Sequence, residues 1–326
     1  MTRCSESSLA AAEQLAGSAP EALAWVALEQ NGPWGAKAFT ASHLDPGVGR
    51  EIEAAAAAHG VRPVLVRRPG RHADDHVHPA GHRVLVAYTH PADTWLLDGT
   101  LAGPEELLNL DWAALRAGDR DAVRRSLPTL RPSPQAQLLV CTNGARDLCC
   151  AVVGRPVALA GAALRPGRVW EVTHTSGHRF APTAVLLPAG TLHGRLDATR
   201  AAALLAAADR DETVLAGCRG RSTWSGPGQV AELAVREATG EVRLAAVLVT
   251  GCQPTGEHTW EVDVAHADGR RWRVRVVSEA TGTDRAESCG KPAVPLRHWT
   301  TSVEPRAVAR FVAPAETGAT GRTDIR

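Results

Sequence analysis

Two stretches of the sequence carry soft, metal-ligating side chains close together. One reads Cys141-Thr-Asn-Gly-Ala-Arg146-Asp147-Leu-Cys149-Cys150, the other His174-Thr-Ser-Gly177-His178. Cysteine thiolate and neutral imidazole suit zinc and iron–sulfur centres. The spacing alone is weak, since the eight residues between Cys141 and Cys150 match no zinc-finger knuckle. Position within the fold strengthens the case. Residues 137–140 begin a strand, 156–164 a helix with Pro156 near its first turn, and 168–173 a second strand. A right-handed crossover makes these strands parallel and puts both carboxyl ends on one sheet edge, where open α/β sheets bind their ligands. Cys141 and His174 then meet, and the loops that follow add Cys150, with Cys149 in reserve, and His178. Gly144 and Gly177 let the backbone turn without a Cβ clash. Four soft ligands at one point fit a Cys2His2 zinc site or a [2Fe–2S] cluster with histidines replacing two cysteines. The residues alone leave both open.

The same order of elements occurs earlier in the chain. A short helix over 5–15 precedes a strand over 22–28, a helix over 46–59, and β-branched strands over 61–66 and 82–88. A hairpin at Asp98-Gly99 and a helix over 104–110 follow. In the second half, strand, helix and strand are followed by a hairpin around Ala189-Gly190 and a helix capped by Asp197 that runs to Ala208. Thioredoxin-like topology fits both halves. Beyond residue 211 the pattern changes to a helix over 229–238 and alternating strands over 242–250, 259–266 and 271–277, with a turn at Ala267-Asp268-Gly269. The expected fold is α/β, with two thioredoxin-like modules of mixed sheet (1–126 and 127–210), a small antiparallel α+β module (211–313) and a disordered tail (314–326).

Composition limits what the protein can do. Apolar residues make up 44% and charged residues 22% of the 326, enough to build cores and against a wholly disordered chain. The 36 basic and 35 acidic residues leave +1, so no global field holds a nucleic acid. No apolar run approaches a membrane span and no signal-like segment opens the chain, so a cytoplasmic location is expected. Seven cysteines are too few and too uneven for a secreted disulfide scaffold. In a reducing compartment, clustered thiols point to metal or redox chemistry.

In order, the strings Cys141-Thr-Asn-Gly-Ala-Arg-Asp-Leu-Cys-Cys-Ala151, Gly154-Arg155-Pro156, Val169-Trp170-Glu171, His174 to Ala181 and Gly194-Arg195-Leu196 resemble the sucrase/ferredoxin-like family of thioredoxin-like ferredoxins. Ala16-Gly17-Ser18-Ala19-Pro20 and Gln30-Asn31-Gly32-Pro33-Trp34-Gly35 extend the likeness to the first half. Cys218-Arg219-Gly220-Arg221 and Ser288-Cys289-Gly290-Lys291 carry it less firmly into the third module. The resemblance implies a [2Fe–2S] cluster held by Cys141, Cys150, His174 and His178, and an electron carrier rather than a stand-alone catalyst. Its partner would be a redox protein such as a flavoprotein reductase, with no nucleic acid and no membrane involved. Relatives often have histidine where this chain has Asn143, and two glycines where it has Ser176-Gly177. Replacing two thiolates by neutral imidazoles makes reduction easier, giving a potential near −150 to +300 mV against roughly −400 mV for plant-type ferredoxins. That potential should fall with pH, because the reduced form favours protonated imidazole.

Arg146, Asp147 and Arg179 flank the ligands, either offsetting charge and docking a partner or bracing the loop in an ion pair. Trp170 reads as core. The histidine pairs of His72-Ala-Asp74-Asp75-His76-Val-His78-Pro-Ala-Gly-His82 could take up zinc or nickel adventitiously, but the stretch reads as a solvated loop between two strands, and Ser288-x-x-Lys291 lacks the partners of an acylation motif. Cys218, Cys252 and Cys289 could converge on a second metal site or a redox pair, but scattered loop cysteines are usually inert, and they read as inert thiols. Two other functions compete: a zinc-stabilised binding protein, and a thiol oxidoreductase using Cys149 and Cys150. The second lacks the two-residue gap of thioredoxin motifs.

Overall fold

A computed structural model describes residues 3–70 and 80–306. The expected tail and most of the histidine-rich stretch lie outside the described residues. The chain is mixed α/β, as its pattern indicates. After α1 (Cys4–Ala10), the first half runs β1 (Ala24–Glu29), α2 (Pro46–Ala58), β2 (Val61–Arg67), β3 (His82–Tyr88) and β4 (Trp95–Leu101). It ends with the short helices α3 (Trp112–Ala117) and α4 (Arg120–Ser126) and the short strand β5 (Arg131–Pro132). The second half runs β6 (Gln137–Cys141), α5 (Arg155–Leu164), β7 (Val169–Val172), β8 (Ala184–Leu187), β9 (Thr191–His193), α6 (Ala198–Ala208) and β10 (Cys218–Arg221).

Both halves repeat one arrangement. A parallel pair joined through a helix (β1–β2, β6–β7) is extended on its other side by two antiparallel strands (β3–β4, β8–β9). The two sheets are one. Strand β2 pairs antiparallel with β7 through Val66↔Val172 and Arg67↔Glu171, giving ten strands in the order β10-β9-β8-β6-β7-β2-β1-β3-β4-β5. The seam carries a buried ion pair in which Arg67 donates to Glu171 at 2.9 and 2.7 Å, while the Arg67 guanidinium lies over the Trp34 ring. Central strands are apolar on both sides, which explains runs such as Leu138-Leu139-Val140. One face forms a continuous core across both halves, with Trp25, Val64, Leu85, Leu139, Cys141, Trp170 and Val172. The other face splits into two cores, one around Val26, Ile52, Leu65 and Leu97 and one around Leu138, Val140, Val169 and Leu204.

The hairpin expected at Asp98-Gly99 is absent. β4 runs straight through it, with Gly99 paired to Val84 and close against the Thr129 carbonyl and Leu130, where a Cβ would be tight. Residues 104–109 form a 3₁₀ rather than an α-helix. In the last part, α7 (Gly226–Thr239) packs on a separate antiparallel meander of β11 (Val247–Gly256), β12 (Thr259–His266), β13 (Arg271–Ala286) and β14 (Ala293–Arg306). Strand β11 starts later than expected, β13 continues beyond Val277, and β14 was not anticipated. The β13–β14 hairpin reaches past its own core to the loop that carries Cys149.

Candidate metal centre

The parallel pair positions the centre. Cys141, the last residue of β6, is in register with Val172, and its backbone N–H donates to the Thr183 carbonyl at 2.8 Å. Next along, the Thr142 hydroxyl donates to Glu171 at 2.9 Å, tying the strand end to the ion pair at the seam. The chain then turns on Asn143. Its side-chain oxygen accepts from the Ala145 N–H at 3.1 Å, its carbonyl accepts from the Asp147 N–H, and its amide donates to the Gly35 carbonyl at 3.0 Å. Asparagine thus takes its place here through an Asx turn. Residues 150–154 form a π-helical turn into α5 that carries Cys150 back under Cys141. Gly154 lies against the Cys141 carbonyl, where a Cβ would not fit.

The histidine loop leaves the neighbouring strand. Ser176 and Gly177 both have positive φ, +65° and +69°, and the following 3₁₀ turn (His178–Phe180) stacks the His178 ring on that of His174 at 4.8 Å. Two consecutive left-handed residues make a backbone that suits glycine, and here the first of them is serine. Arg219 of β10, fully buried, braces the loop. It donates to the carbonyls of Thr175 and Ser176, at 3.5 and 3.0 Å, and to the Ser18 carbonyl. Burial lowers its guanidinium to about 9.

The four expected ligands converge. Ligand atoms of Cys141, His174 and His178 lie within 4.8 Å of one another, and Cys150 Sγ is 3.2 Å from His178 Nδ1. His174 Nδ1 is buried and has no hydrogen-bond partner. Electrostatics divide the two thiols. Contact with the Cys150 thiol, then His174, holds Cys141 well below the usual thiol range against the cost of burial. Cys150 is pushed far up, first by its bond to Cys141 and then by burial. Burial also lowers His178 and favours its neutral, ligating form. The pocket thus brings two thiols and two imidazoles together, a donor set able to bind a metal ion. His174 is the more open of the two histidines, lining clefts of about 480 and 660 Å³. Lys37, Arg62, Arg146, Arg179 and Lys291 line these clefts, as do Glu21, Glu53 and Glu287.

Cys149, next to Cys150, faces the opposite way. It meets Cys4 and Cys289, forming a second group with Asp147. Asp147 is also within 4.8 Å of the ligand atoms of Cys150 and His178. Burial opposes its ionisation, but bonds from the Ser288 hydroxyl and the Cys289 and Cys149 N–H groups prevail and keep its carboxyl below the usual range. Arg146 donates to the Ala36 carbonyl at 3.3 Å, and Arg179 pairs with Glu13 at 2.7 Å, so both brace loops. Trp170 is core, its indole N–H donating to Gln137 at 3.0 Å. Cys218 and Cys252 lie apart from both groups, while Cys289, expected to be inert, does not. Neither Cys4 nor Arg219 has a local sequence signal for its place here, although Arg219 lies in the Cys218-Arg219-Gly220-Arg221 string.

Residues 15–220, more than half of the chain, match the family model described as sucrase/ferredoxin-like. The chain belongs to the sucrase/ferredoxin-like family. No curated protein and no solved structure matches it. The family match contains all four converging ligands but stops short of Cys4 and Cys289. Among the described residues, no helix is long and apolar enough to cross a membrane.

Proposed function

We propose that Cys141, Cys150, His174 and His178 hold a [2Fe–2S] cluster and that this protein is an electron carrier, built on two thioredoxin-like modules and working in the reducing cytoplasm. One observation carries the reading: two thiols and two imidazoles from four separate chain positions gather at one sheet edge, and the buried Nδ1 of His174 has no partner there. Two thiolates and two neutral imidazoles are the ligands of a Rieske-type centre, and family membership favours a ferredoxin-type role. When bound, the cluster supplies one-electron redox chemistry at a relatively high potential.

The protein's own residues set the route and the surroundings. The cysteines lie at the core, 0–1% exposed, whereas His174 borders the clefts, so the imidazole edge is the side that a partner reaches. With Arg179 paired to Glu13, the cations Lys37, Arg62, Arg146 and Lys291 stand against Glu21, Glu53 and Glu287 around that edge, a small positive excess that suits an acidic face on a redox partner such as a flavoprotein reductase. Thiol–disulfide exchange fits less well. Cys149 and Cys150 are fully buried and face different groups, and a reactive thiolate needs access.

Anaerobically purified protein should be brown and contain about two irons and two sulfides per chain, with a potential between about −150 and +300 mV. That potential should fall with pH by up to about 59 mV per unit, as a one-electron, one-proton couple requires. Colourless protein with zinc at Cys141, Cys150, His174 and His178 would establish the zinc-stabilised alternative instead.

A further inference from the structure

The second thiol group lies outside everything used so far. Cys4 comes from α1, Cys149 from the loop after β6, and Cys289 from the tip of the β13–β14 hairpin. These three segments are distant in sequence, yet their sulfurs are 3.6 Å (Cys4–Cys149), 3.3 Å (Cys149–Cys289) and 3.5 Å (Cys289–Cys4) apart. No pair is at the ~2.0 Å of a disulfide, and all three cysteines are free. The triangle matches the face of a metal tetrahedron. Zinc–sulfur bonds of about 2.3 Å set neighbouring sulfurs about 3.8 Å apart.

Asp147 stands at the fourth corner. Its ligand oxygen lies within 4.8 Å of the three sulfurs, and its Oδ2 is 3.7 Å from Cys4 Sγ. The side chain is almost fully buried and accepts from Cys149 N–H at 2.9 Å, Cys289 N–H at 2.9 Å and the Ser288 hydroxyl at 2.7 Å. Among the described residues, no arginine or lysine pairs with it. A buried carboxylate held in place by neutral donors beside three thiols is a site in want of a cation.

We propose that Cys4, Cys149, Cys289 and Asp147 form a second, structural metal site that takes a zinc ion. Binding forms three Zn–S bonds and one Zn–O bond while the three thiol protons leave to solvent. With four protein ligands the site is closed, as structural zinc sites are. It clamps the amino-terminal helix and the hairpin tip onto the loop between Cys141 and Cys150. Two of its four ligands, Cys4 and Cys289, lie outside the residues that the family model matches. Asp147 links the two centres, because it also lies beside Cys150 and His178.

The test is metal analysis of the full-length protein, purified anaerobically from cells supplied with both iron and zinc. The native chain should carry about one zinc in addition to its iron. Cys4→Ser and Cys289→Ser should each lose the zinc and keep iron and sulfide. Cys141→Ser should lose iron and keep zinc, so failure of one centre is distinguishable from failure of the other. Cys252→Ser, away from both, should keep everything. Should a cysteine variant fail to fold, cobalt(II) exchanged into the native chain decides the question through its thiolate-to-cobalt charge-transfer bands and tetrahedral visible spectrum. Zinc retained in both Cys4→Ser and Cys289→Ser would overturn the proposal. So would a native chain without zinc in which these three cysteines are alkylated as free thiols or found in a disulfide.

Discussion

At the scale of single residues, the proposed centre makes different demands on each ligand. Replacing imidazole by thiolate adds negative charge and removes a titrating nitrogen. His174→Cys and His178→Cys should therefore keep a cluster but lower its potential and flatten its pH dependence, as read by redox titration at several pH values. Ser176 shows a second effect. Its φ of +65° lies in the left-handed region, where a Cβ costs about 1–2 kcal/mol and glycine is at ease. Ser176→Gly should raise stability to denaturant by about 0.5–1 kcal/mol, since glycine's greater freedom in the unfolded chain returns part of the gain. Cys141 and His174 were legible in the sequence because the one ends and the other follows a short apolar strand, and parallel pairing through a helix leaves little choice of where strand ends go. Cys4 and Cys289 were not. No local pattern marks two thiols brought together from opposite ends of the chain, one on a helix and one at a hairpin tip.

At the scale of elements, the seam between β2 and β7 turns two sheets into one. Two residue pairs are in register across it, with Leu65 and Thr173 hydrogen-bonded beside them, and one of the two is the buried Arg67–Glu171 ion pair, whose side chains are 7% and 2% exposed. Removing one partner of a buried pair leaves an uncompensated charge, which costs about 3–5 kcal/mol. Glu171→Ala should cost that much in a denaturant titration. It should also loosen the cysteine loop, because the Thr142 hydroxyl loses its acceptor. The double replacement Arg67→Met/Glu171→Leu should recover most of the stability. A charged pair inside a sheet gives no hydrophobic signal, so the sequence showed two modules and not their union. Strand β14 was hidden for a related reason. Leu296 is its one buried residue, Trp299 and Val303 only partly cover the core of this sheet, and the end of the hairpin extends beyond it. The opposite error arose at Asp98-Gly99, where a strong local turn signal yields to the pairing of β4 with β3.

At the scale of the whole molecule, the last sheet is joined to the large one through buried charges. Glu232 of α7 sits between Arg221 of β10 and Arg236, at 3.4 and 2.9 Å, and accepts from the Trp224 indole at 2.7 Å. Burial opposes its ionisation, but the two guanidinium groups outweigh that and hold its carboxyl below the ordinary 4.5. A carboxyl with a depressed folded-state value stabilises fully above its unfolded value and progressively less as pH falls from there toward the folded one. Thermal unfolding should thus show a loss of stability beginning below about pH 4.5. Glu232→Gln should be less stable at pH 7 and should lack that part of the acid dependence. The repeated order of elements, visible in the sequence, explains why the large sheet has two similar halves, with the ligands gathered in only one of them.

The claim that two imidazoles belong to the cluster is tested most directly by pulsed electron paramagnetic resonance on the reduced protein, with nitrogen couplings resolved. Two strongly coupled histidine nitrogens should appear, and one should vanish in each of His174→Cys and His178→Cys. A reduced cluster without strong nitrogen coupling, or a protein in which no paramagnetic centre forms on reduction, would contradict the account.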